Sequence, residues 1–134
     1  MNASAHRLSN TILLVDDSPR IRPLVVEILA DLDCTVLEAE NAEQALDLAT
    51  AEPGEIHLLI TDITMPGKNG MELAALLRER YPRMQVLYMS GFTLPSAPAP
   101  GPGSQFIEKP LRPDALIQKV SEMLGPRLAS GAAG

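Results

Sequence analysis

Short runs of consecutive apolar residues alternate along the chain with segments whose apolar residues recur every three or four positions. Continuous apolar runs are typical of strands buried on both faces of a parallel sheet, and the wider spacing is typical of amphipathic helices. Five runs are predicted to be strands: TILLV (11–15), TVLEA (35–39), HLLIT (57–61), VLYM (86–89) and QFIE (105–108). The alternation predicts a doubly wound α/β domain built on a five-stranded parallel sheet.

Four helices are predicted between and after these strands. In the first, Ser18 is expected to be the N-cap and Pro19 to lie in the first turn, which puts Pro23 in the second turn, where it would remove a backbone donor and kink the helix. The other predicted helices are one capped by Asn41, one from Gly70 to Arg80 and one that begins at Pro113. Strand and helix therefore alternate over nearly the whole chain.

The predicted domain spans residues 11–125, between a flexible N-terminal lead (1–10) and a flexible tail (126–134). With 134 residues, 46% of them hydrophobic, the chain can bury one ordinary core. The first ten residues lack the apolar segment of a signal peptide, and no run approaches the ~18 apolar residues of a membrane span. We therefore expect a cytoplasmic protein that does not associate with membranes.

The charge and the metal-binding residue types exclude several classes of function. A net charge of −6 argues against direct binding of nucleic acid, because phosphate backbones are bound by clustered Lys and Arg. His6 and His57 are far apart and lack the spacing of metal ligands. The single cysteine, Cys34, excludes an internal disulfide and is expected to be a packed thiol.

Polar residues follow four of the five predicted strands. They are Asp16 and Asp17 after the first, Asp62 after the third, Ser90 after the fourth and Lys109 after the fifth. In the flavodoxin-like strand order 2-1-3-4-5, the first and third strands are neighbours at the point where the order reverses, and ligands bind outside the carboxyl ends there. Three carboxylates converging in one crevice repel one another unless a cation is present, and all-oxygen ligands favour Mg²⁺ over zinc.

Each of these residues, taken singly, also has an ordinary structural interpretation. Asp16 or Asp17 alone could cap a helix, and Asp62 alone could belong to a turn. Ser90 alone could be a surface hydroxyl and Lys109 alone a solvated lysine. Their occurrence at successive strand ends is what favours a shared site.

The motifs LLVDDSP, LLITDITMPGKNGMEL, VLYMSG and FIEKP resemble, in this order, those of the response-regulator receiver domain of two-component signalling. The resemblance covers roughly residues 10 to 125. It implies that Asp62 is the phosphoacceptor and that Asp62 and Asp17 bind Mg²⁺ directly. It also implies that Asp16 acts through a bound water and that the main-chain carbonyl of Thr64 is a further ligand. Because a carboxylate is a weak nucleophile, Mg²⁺ and a lysine would have to offset the charge of the phosphoryl oxygens.

The resemblance also assigns roles at the fourth and fifth strands. It implies that Ser90 and Lys109 contact the phosphoryl group once it is in place. Phe106, three residues before Lys109, matches the aromatic switch position of the family, with a core aromatic on the fifth strand as the alternative. If Lys109 has to reach Asp62, the fifth strand belongs to the same sheet.

The segment between the fourth and fifth strands departs from the family, which usually has a regular helix (its helix 4) there. Four prolines at positions 95, 98, 100 and 102 disfavour a helix over residues 93–104, and the glycines at 101 and 103 add chain entropy. We therefore expect helix 4 to be replaced by a mobile Pro/Gly-rich loop within the domain. The face that this helix usually forms with the fifth strand and last helix is a common output surface in the family, so the downstream partner and any dimer are left open.

The leading hypothesis is a phosphorylatable switch, either a stand-alone regulator or the receiver of a hybrid kinase. It would receive its phosphoryl group from a histidine kinase or a histidine phosphotransfer protein. It would not act as an enzyme on other substrates, and would catalyse only its own phosphorylation and slow dephosphorylation. One alternative is a protein-binding module without phosphorylation. Another is a Mg²⁺-dependent aspartyl-phosphate phosphohydrolase, which is disfavoured because Thr64 stands where that family has its second aspartate.

Overall fold

A computed structural model describes residues 10–52, 54–63, 69–91 and 103–124. Nine elements follow one another there: β1 (Asn10–Val15), α1 (Ile21–Leu29), β2 (Cys34–Ala39), α2 (Ala42–Ala51), β3 (Leu58–Asp62), α3 (Gly70–Arg80), β4 (Gln85–Ser90), β5 (Ser104–Glu108) and α4 (Pro113–Leu124). Across these ranges, no helix is long and apolar enough to be a candidate membrane span.

The five strands form one parallel sheet in the order β2-β1-β3-β4-β5, which confirms the predicted fold class. The strand order reverses between β1 and β3, where Val15 is in register with Thr61. On the other side of β3, Asp62 is in register with Met89 of β4. The carboxyl ends of β1, β3 and β4 therefore meet at one edge of the sheet.

Two hydrophobic clusters cover the two faces of the sheet. Leu13 and Val15 point into the cluster beneath α2 and α3, whereas Ile12 and Leu14 point into the cluster beneath α1 and α4. All four side chains are completely buried. A strand with apolar residues at every position is thus explained by burial on both faces.

Three of the predicted helix starts agree with the structure and one is wrong. Asn41 caps α2 through a bond from the Gln44 amide, and α3 spans the predicted Gly70–Arg80. Helix α1, however, begins at Ile21 after Arg20, which makes no side-chain capping bond, so the predicted start at Ser18 is too early. The Ser18 hydroxyl accepts a bond of 3.2 Å from the Arg20 amide and so caps the turn that precedes the helix. Pro23 accordingly lies in the first turn, where a backbone N–H has no helical partner, and not in the second turn.

The segment before β5 is described only in part. Strand β5 begins at Ser104, so the predicted loop over 93–104 extends one residue too far. Gly103 adopts a positive φ of 73°, a conformation that glycine tolerates without steric cost. The predicted replacement of a helix by a loop falls on residues 92–102, outside the described residues, and stays a prediction. The predicted flexible ends likewise fall mostly outside them, on residues 1–9 and 125–134.

Candidate functional site

Three carboxylates lie together at the edge where β1 and β3 end. Asp16 and Asp17 directly follow β1, and Asp62 is the last residue of β3. Because β1 and β3 are parallel neighbours in register, these strand ends are adjacent. One carboxylate oxygen of each residue lies within 4.8 Å of the others.

The three acids differ in burial and in hydrogen bonding. Asp16 is 0% exposed and Asp62 is 9% exposed, whereas Asp17 is exposed to solvent. Asp16 Oδ1 accepts a bond of 2.7 Å from the Ser18 amide, and Asp16 Oδ2 accepts one of 2.9 Å from Lys109 Nζ. Both oxygens of Asp16 are therefore engaged by the protein, which agrees with an indirect role at a metal site.

Lys109 is the cation that faces this cluster. It follows β5, and its peptide bond to Pro110 is cis. Its Nζ lies 2.9 Å from Asp16 Oδ2 and 3.2 Å from Asp62 Oδ2. Burial by itself lowers the pKa of Lys109, but hydrogen bonds and charges from Asp16 and then Asp62 outweigh that effect and raise the pKa above its usual value. Lys109 is therefore charged at neutral pH, and the four side chains carry more negative than positive charge.

The donor set suits a hard divalent cation. Three carboxylates offer oxygen ligands, and a single lysine leaves negative charge that a cation would offset. Oxygen-only ligation fits Mg²⁺ better than zinc, which prefers nitrogen and sulfur. The predicted carbonyl ligand Thr64 lies outside the described residues.

Ser90 ends β4 beside this site. It is 8% exposed, and its carbonyl accepts a bond of 2.7 Å from the Lys109 amide. The neighbouring strand β3 ends at Asp62, which is in register with Met89. Backbone pairing thus places Ser90 and Lys109 at the same end of the strands as Asp62.

Phe106 lies on β5 opposite Tyr88 of β4. The two ring centroids are 5.6 Å apart and the ring planes are inclined by 44°. Phe106 is partly buried and packs against the cluster beneath α2 and α3. Phe106 therefore packs in the core on one side of β5, three residues before Lys109.

Two residues that support the acidic cluster were missed from the sequence. Arg22 Nη1 donates a bond of 2.6 Å to the Asp16 carbonyl, and its Nε lies 3.8 Å from Glu38. A Cβ on Gly70 would overlap the Asp62 carbonyl oxygen, so α3 can begin this close to Asp62 only with glycine there. The dipeptide Asn69-Gly70 was the available indication, because it combines an N-cap residue with a residue that permits close backbone approach.

Comparisons with known proteins agree with this arrangement. A family model described as "Response regulator receiver domain" matches residues 12–121. A chemotaxis protein CheY homologue from Campylobacter jejuni is 34% identical over 128 residues, which cover 91% of this chain and 98% of that protein. The sensor kinase CckA of Brucella abortus is 30% identical over 119 residues, which cover 87% of this chain but only 13% of the kinase.

A solved structure gives the same result for the fold. The receiver domain of the hybrid histidine kinase CckA superposes with a TM-score of 0.76 at 31% identity, covering 87% of this chain and 100% of that domain. The family match, the strand order and the clustered strand-end residues all point the same way, and the chain belongs to the response-regulator receiver-domain family of two-component signalling.

Proposed function

We propose that the protein is a Mg²⁺-dependent phosphorylation switch in which Asp62 accepts a phosphoryl group from a phosphohistidine. The donor is a sensor histidine kinase or a histidine phosphotransfer protein, and the reaction takes place in the cytoplasm. The observation that carries this proposal is the 3.2 Å contact of Lys109 Nζ with Asp62 Oδ2 inside a cluster of three carboxylates.

The chemistry at Asp62 is a phosphoryl transfer between nitrogen and oxygen. A carboxylate oxygen of Asp62 attacks phosphorus, a P–O bond forms, and the P–N bond of the donor breaks as the imidazole leaves with its electron pair. Lys109 offsets the charge of the phosphoryl oxygens, and the Ser90 hydroxyl donates to one of them. Asp17 and Asp62 would hold Mg²⁺, with Asp16 acting through water and the Thr64 carbonyl as a further ligand; the ion supplies charge neutralisation and orientation.

Asp16 supports this reaction without contacting the phosphoryl group. Its two engaged oxygens orient Lys109 and the segment after β1, because they accept from Lys109 Nζ and from the Ser18 amide. Lys109 is thereby held with its charge directed at Asp62 before any donor arrives. Such preorganisation lowers the cost of reorganising charge during transfer.

The phosphorylated state would alter a protein-binding surface near β4 and β5. The Lys109 amide donates a hydrogen bond to the Ser90 carbonyl. Glu108 is the register partner of Ser90, and Phe106 lies two residues before it on β5. If Ser90 and Lys109 move towards a phosphoryl group, β4 and β5 shift with them, and the packing of the Tyr88 and Phe106 rings changes. The acyl phosphate would then hydrolyse slowly and return the protein to its resting state.

The test is incubation with acetyl phosphate and Mg²⁺, followed by intact-mass measurement. We expect one phosphoryl adduct, lost in Asp62→Asn and on chelation of Mg²⁺, and retained in the control Asp47→Asn, which removes an exposed acid of α2. An adduct of undiminished yield in Asp62→Asn would refute the assignment. Failure of the wild type to form any adduct would favour a binding module without phosphorylation.

A further inference from the structure

Arg22 bonds the peptide unit that joins the two adjacent acids of the site. It lies in the first turn of α1, and its Nη1 donates a bond of 2.6 Å to the carbonyl of Asp16. That carbonyl belongs to the planar peptide unit between Asp16 and Asp17, so a bond that fixes it also fixes the direction in which the chain continues into Asp17. Among the described residues, Arg22 forms no ion pair with a carboxylate of the cluster.

The side chain of Asp17 depends on its backbone for its position. Asp17 is exposed, and within the described parts of the chain no donor holds its carboxylate. Asp16, in contrast, is held through both carboxylate oxygens, by the Ser18 amide and by Lys109. The place of the Asp17 carboxylate beside the other two acids is therefore determined by how firmly the chain is fixed around it.

Three hydrogen bonds fix the chain at this point. The Asp16 amide donates to the Ala39 carbonyl at 3.2 Å, and the Ser18 amide donates to Asp16 Oδ1 at 2.7 Å. The third is the bond of 2.6 Å from Arg22. It is the shortest of the three, and the one of them that acts directly on the peptide unit between Asp16 and Asp17.

A second contact holds the Arg22 side chain itself in place. Its Nε lies 3.8 Å from Glu38 Oε1 near the end of the neighbouring strand β2, and the Arg22 side chain is only 17% exposed. Because a guanidinium group is planar and rigid, a contact at Nε restricts the direction in which Nη1 points. Arg22 therefore connects α1 and β2 to the segment that carries the acids.

We propose that Arg22 is a positioning residue that strengthens Mg²⁺ binding by fixing the peptide unit before Asp17, and with it the Asp17 carboxylate. This inference rests on the proposed function, since it takes Asp17 as a direct ligand. Removal of a partner that orients a metal ligand commonly weakens metal binding about 10- to 100-fold.

The charge of Arg22 acts in the opposite sense to its hydrogen bond. A positive charge beside the site repels a cation, so loss of the charge alone would tighten Mg²⁺ binding. Loss of the positioning bond would weaken it. The sign of the change in Mg²⁺ affinity therefore decides between the two effects.

The experiment titrates Mg²⁺ into the full, unphosphorylated chain and follows the backbone amides of Asp17 and Asp62 by nitrogen-15 NMR. In Arg22→Met, which keeps much of the aliphatic stem, we expect Mg²⁺ to bind at least about tenfold more weakly than in the wild type. Arg22→Lys keeps a donor for the Asp16 carbonyl and should recover most of the affinity.

Arg20→Met is the matched control. It removes the same charge from an exposed residue directly before α1, and the Arg20 side chain does not bond the Asp16 carbonyl in the described part of the chain. This variant should bind Mg²⁺ no more weakly than the wild type. Unchanged or tighter binding in Arg22→Met, or equal weakening in Arg20→Met, would overturn the proposal.

Amide exchange of the metal-free protein separates positioning from a general loss of stability. In Arg22→Met, exchange should become faster at Asp17 and Ser18 and stay unchanged across β3, because the bond holds only the segment after β1. Exchange that becomes equally faster across β3 would mean that the variant loosens the whole fold, and would contradict a positioning role.

Phosphorylation by acetyl phosphate gives a second separation. The Mg²⁺ concentration for half-maximal rate should rise in Arg22→Met, while the rate at saturating Mg²⁺ stays near that of the wild type, because mass action restores the bound ion. If the wild type binds Mg²⁺ but forms no adduct, the proposed function fails and the titration still decides the role of Arg22. If the wild type binds no Mg²⁺, both are wrong.

Discussion

Lys109 lies nearer to Asp16 than to Asp62, with Nζ distances of 2.9 Å and 3.2 Å to the respective Oδ2 atoms. Asp16 is completely buried, whereas Asp62 keeps some exposure. Lys109 is therefore the charge partner of a buried carboxylate and also lies beside Asp62, the proposed phosphoacceptor. Its removal should affect folding as well as switching.

Lys109→Met should destabilise the metal-free protein by about 2–3 kcal/mol, because it leaves the charge of Asp16 buried without a partner. Urea unfolding measures this change. Lys119→Met is the control, since Lys119 bonds only the neutral Gln105 among the residues that the structure describes. The double variant Asp16→Asn with Lys109→Met should recover much of the loss. Equal losses in the variant and in the control would show that the buried pair has no special contribution.

Asp17→Asn should stabilise the metal-free fold slightly and reduce its stabilisation by Mg²⁺. Asp17 is exposed, yet its carboxylate lies within 4.8 Å of two others, so its removal relieves repulsion by up to about 1 kcal/mol. Thermal unfolding with and without Mg²⁺ measures both effects, since a bound ion stabilises the folded state by mass action. Asp47→Asn on α2 should change neither value. A full Mg²⁺-induced shift in Asp17→Asn would mean that Asp17 is not a ligand.

Gly70→Ala should destabilise the protein by about 1–3 kcal/mol, the usual effect of overpacking a tight contact. The added methyl would overlap the Asp62 carbonyl oxygen and meet Thr61 Cγ2 at 3.0 Å, so β3 or α3 has to shift. The same shift would move Asp62 and slow its phosphorylation by acetyl phosphate. Gly91→Ala is the matched control, since its Cβ would meet none of the described residues within 4 Å. Similar behaviour of the two variants would contradict this role for Gly70.

Cys34 should react slowly with a disulfide reagent in the folded protein at pH 8. The thiol is half-buried, its Sγ donates to the Leu29 carbonyl at 3.8 Å, and burial, followed by the charge of Asp33, raises its pKa. Because the pKa of Cys34 is raised in the folded state, the contribution of this thiol to folding stability is complete below its usual pKa of about 8.5. The contribution is lost as the pH rises through the pKa of the folded state. Labelling rates between pH 7 and about 10 check this, and Asp33→Asn should lower the pKa. Labelling as fast as in urea would disprove the prediction.

The fold could be predicted because burial on both faces leaves the strands as unbroken apolar runs. The bounds of α3 also follow from local chemistry, since Asn69 and Glu72 form a capping box at its start. The start of α1 could not, because the Ser18 hydroxyl accepts a bond of 3.2 Å from the Arg20 amide in a turn that precedes the helix, and the helix itself begins only at Ile21. Local sequence alone does not show whether a helix starts at such a turn or after it.

The residues that form the site could likewise be predicted, because the order of the parallel strands brings their carboxyl ends together independently of side-chain packing. The contacts between the side chains of the site could not be predicted. The nearer position of Lys109 to Asp16 depends on differences of tenths of an ångström, and the overlap at Gly70 depends on how closely α3 approaches β3. The Asn10 side-chain amide nitrogen, which has no hydrogen-bond partner among the described residues, is a further example, since a polar residue at the start of a strand is ordinarily solvated.

Arg78 should fix the start of β5. Its Nε donates to the Met84 carbonyl at 3.1 Å, and its Nη2 donates to the Gly103 carbonyl at 3.0 Å and to Ser104 Oγ at 3.2 Å. This one side chain therefore bonds α3 to Met84, the residue before β4, and to Gly103 and Ser104, where the chain enters β5.

Arg78→Met keeps most of the aliphatic stem but leaves these acceptors to water, so we expect a loss of about 1–3 kcal/mol and faster amide exchange across β5. Arg80→Met is the control, because Arg80 is an exposed residue of the same helix turn that bonds the Tyr81 hydroxyl instead of β5. If amide exchange in β5 becomes equally faster in both variants, the cause is a general loosening of α3. If exchange is unchanged in Arg78→Met, backbone pairing with β4 alone holds the strand. Faster exchange confined to β5 in Arg78→Met would mean that Arg78 keeps β5 in register with β4. Arg78 would then hold Ser90 and Lys109, the proposed phosphoryl-contacting residues, in place.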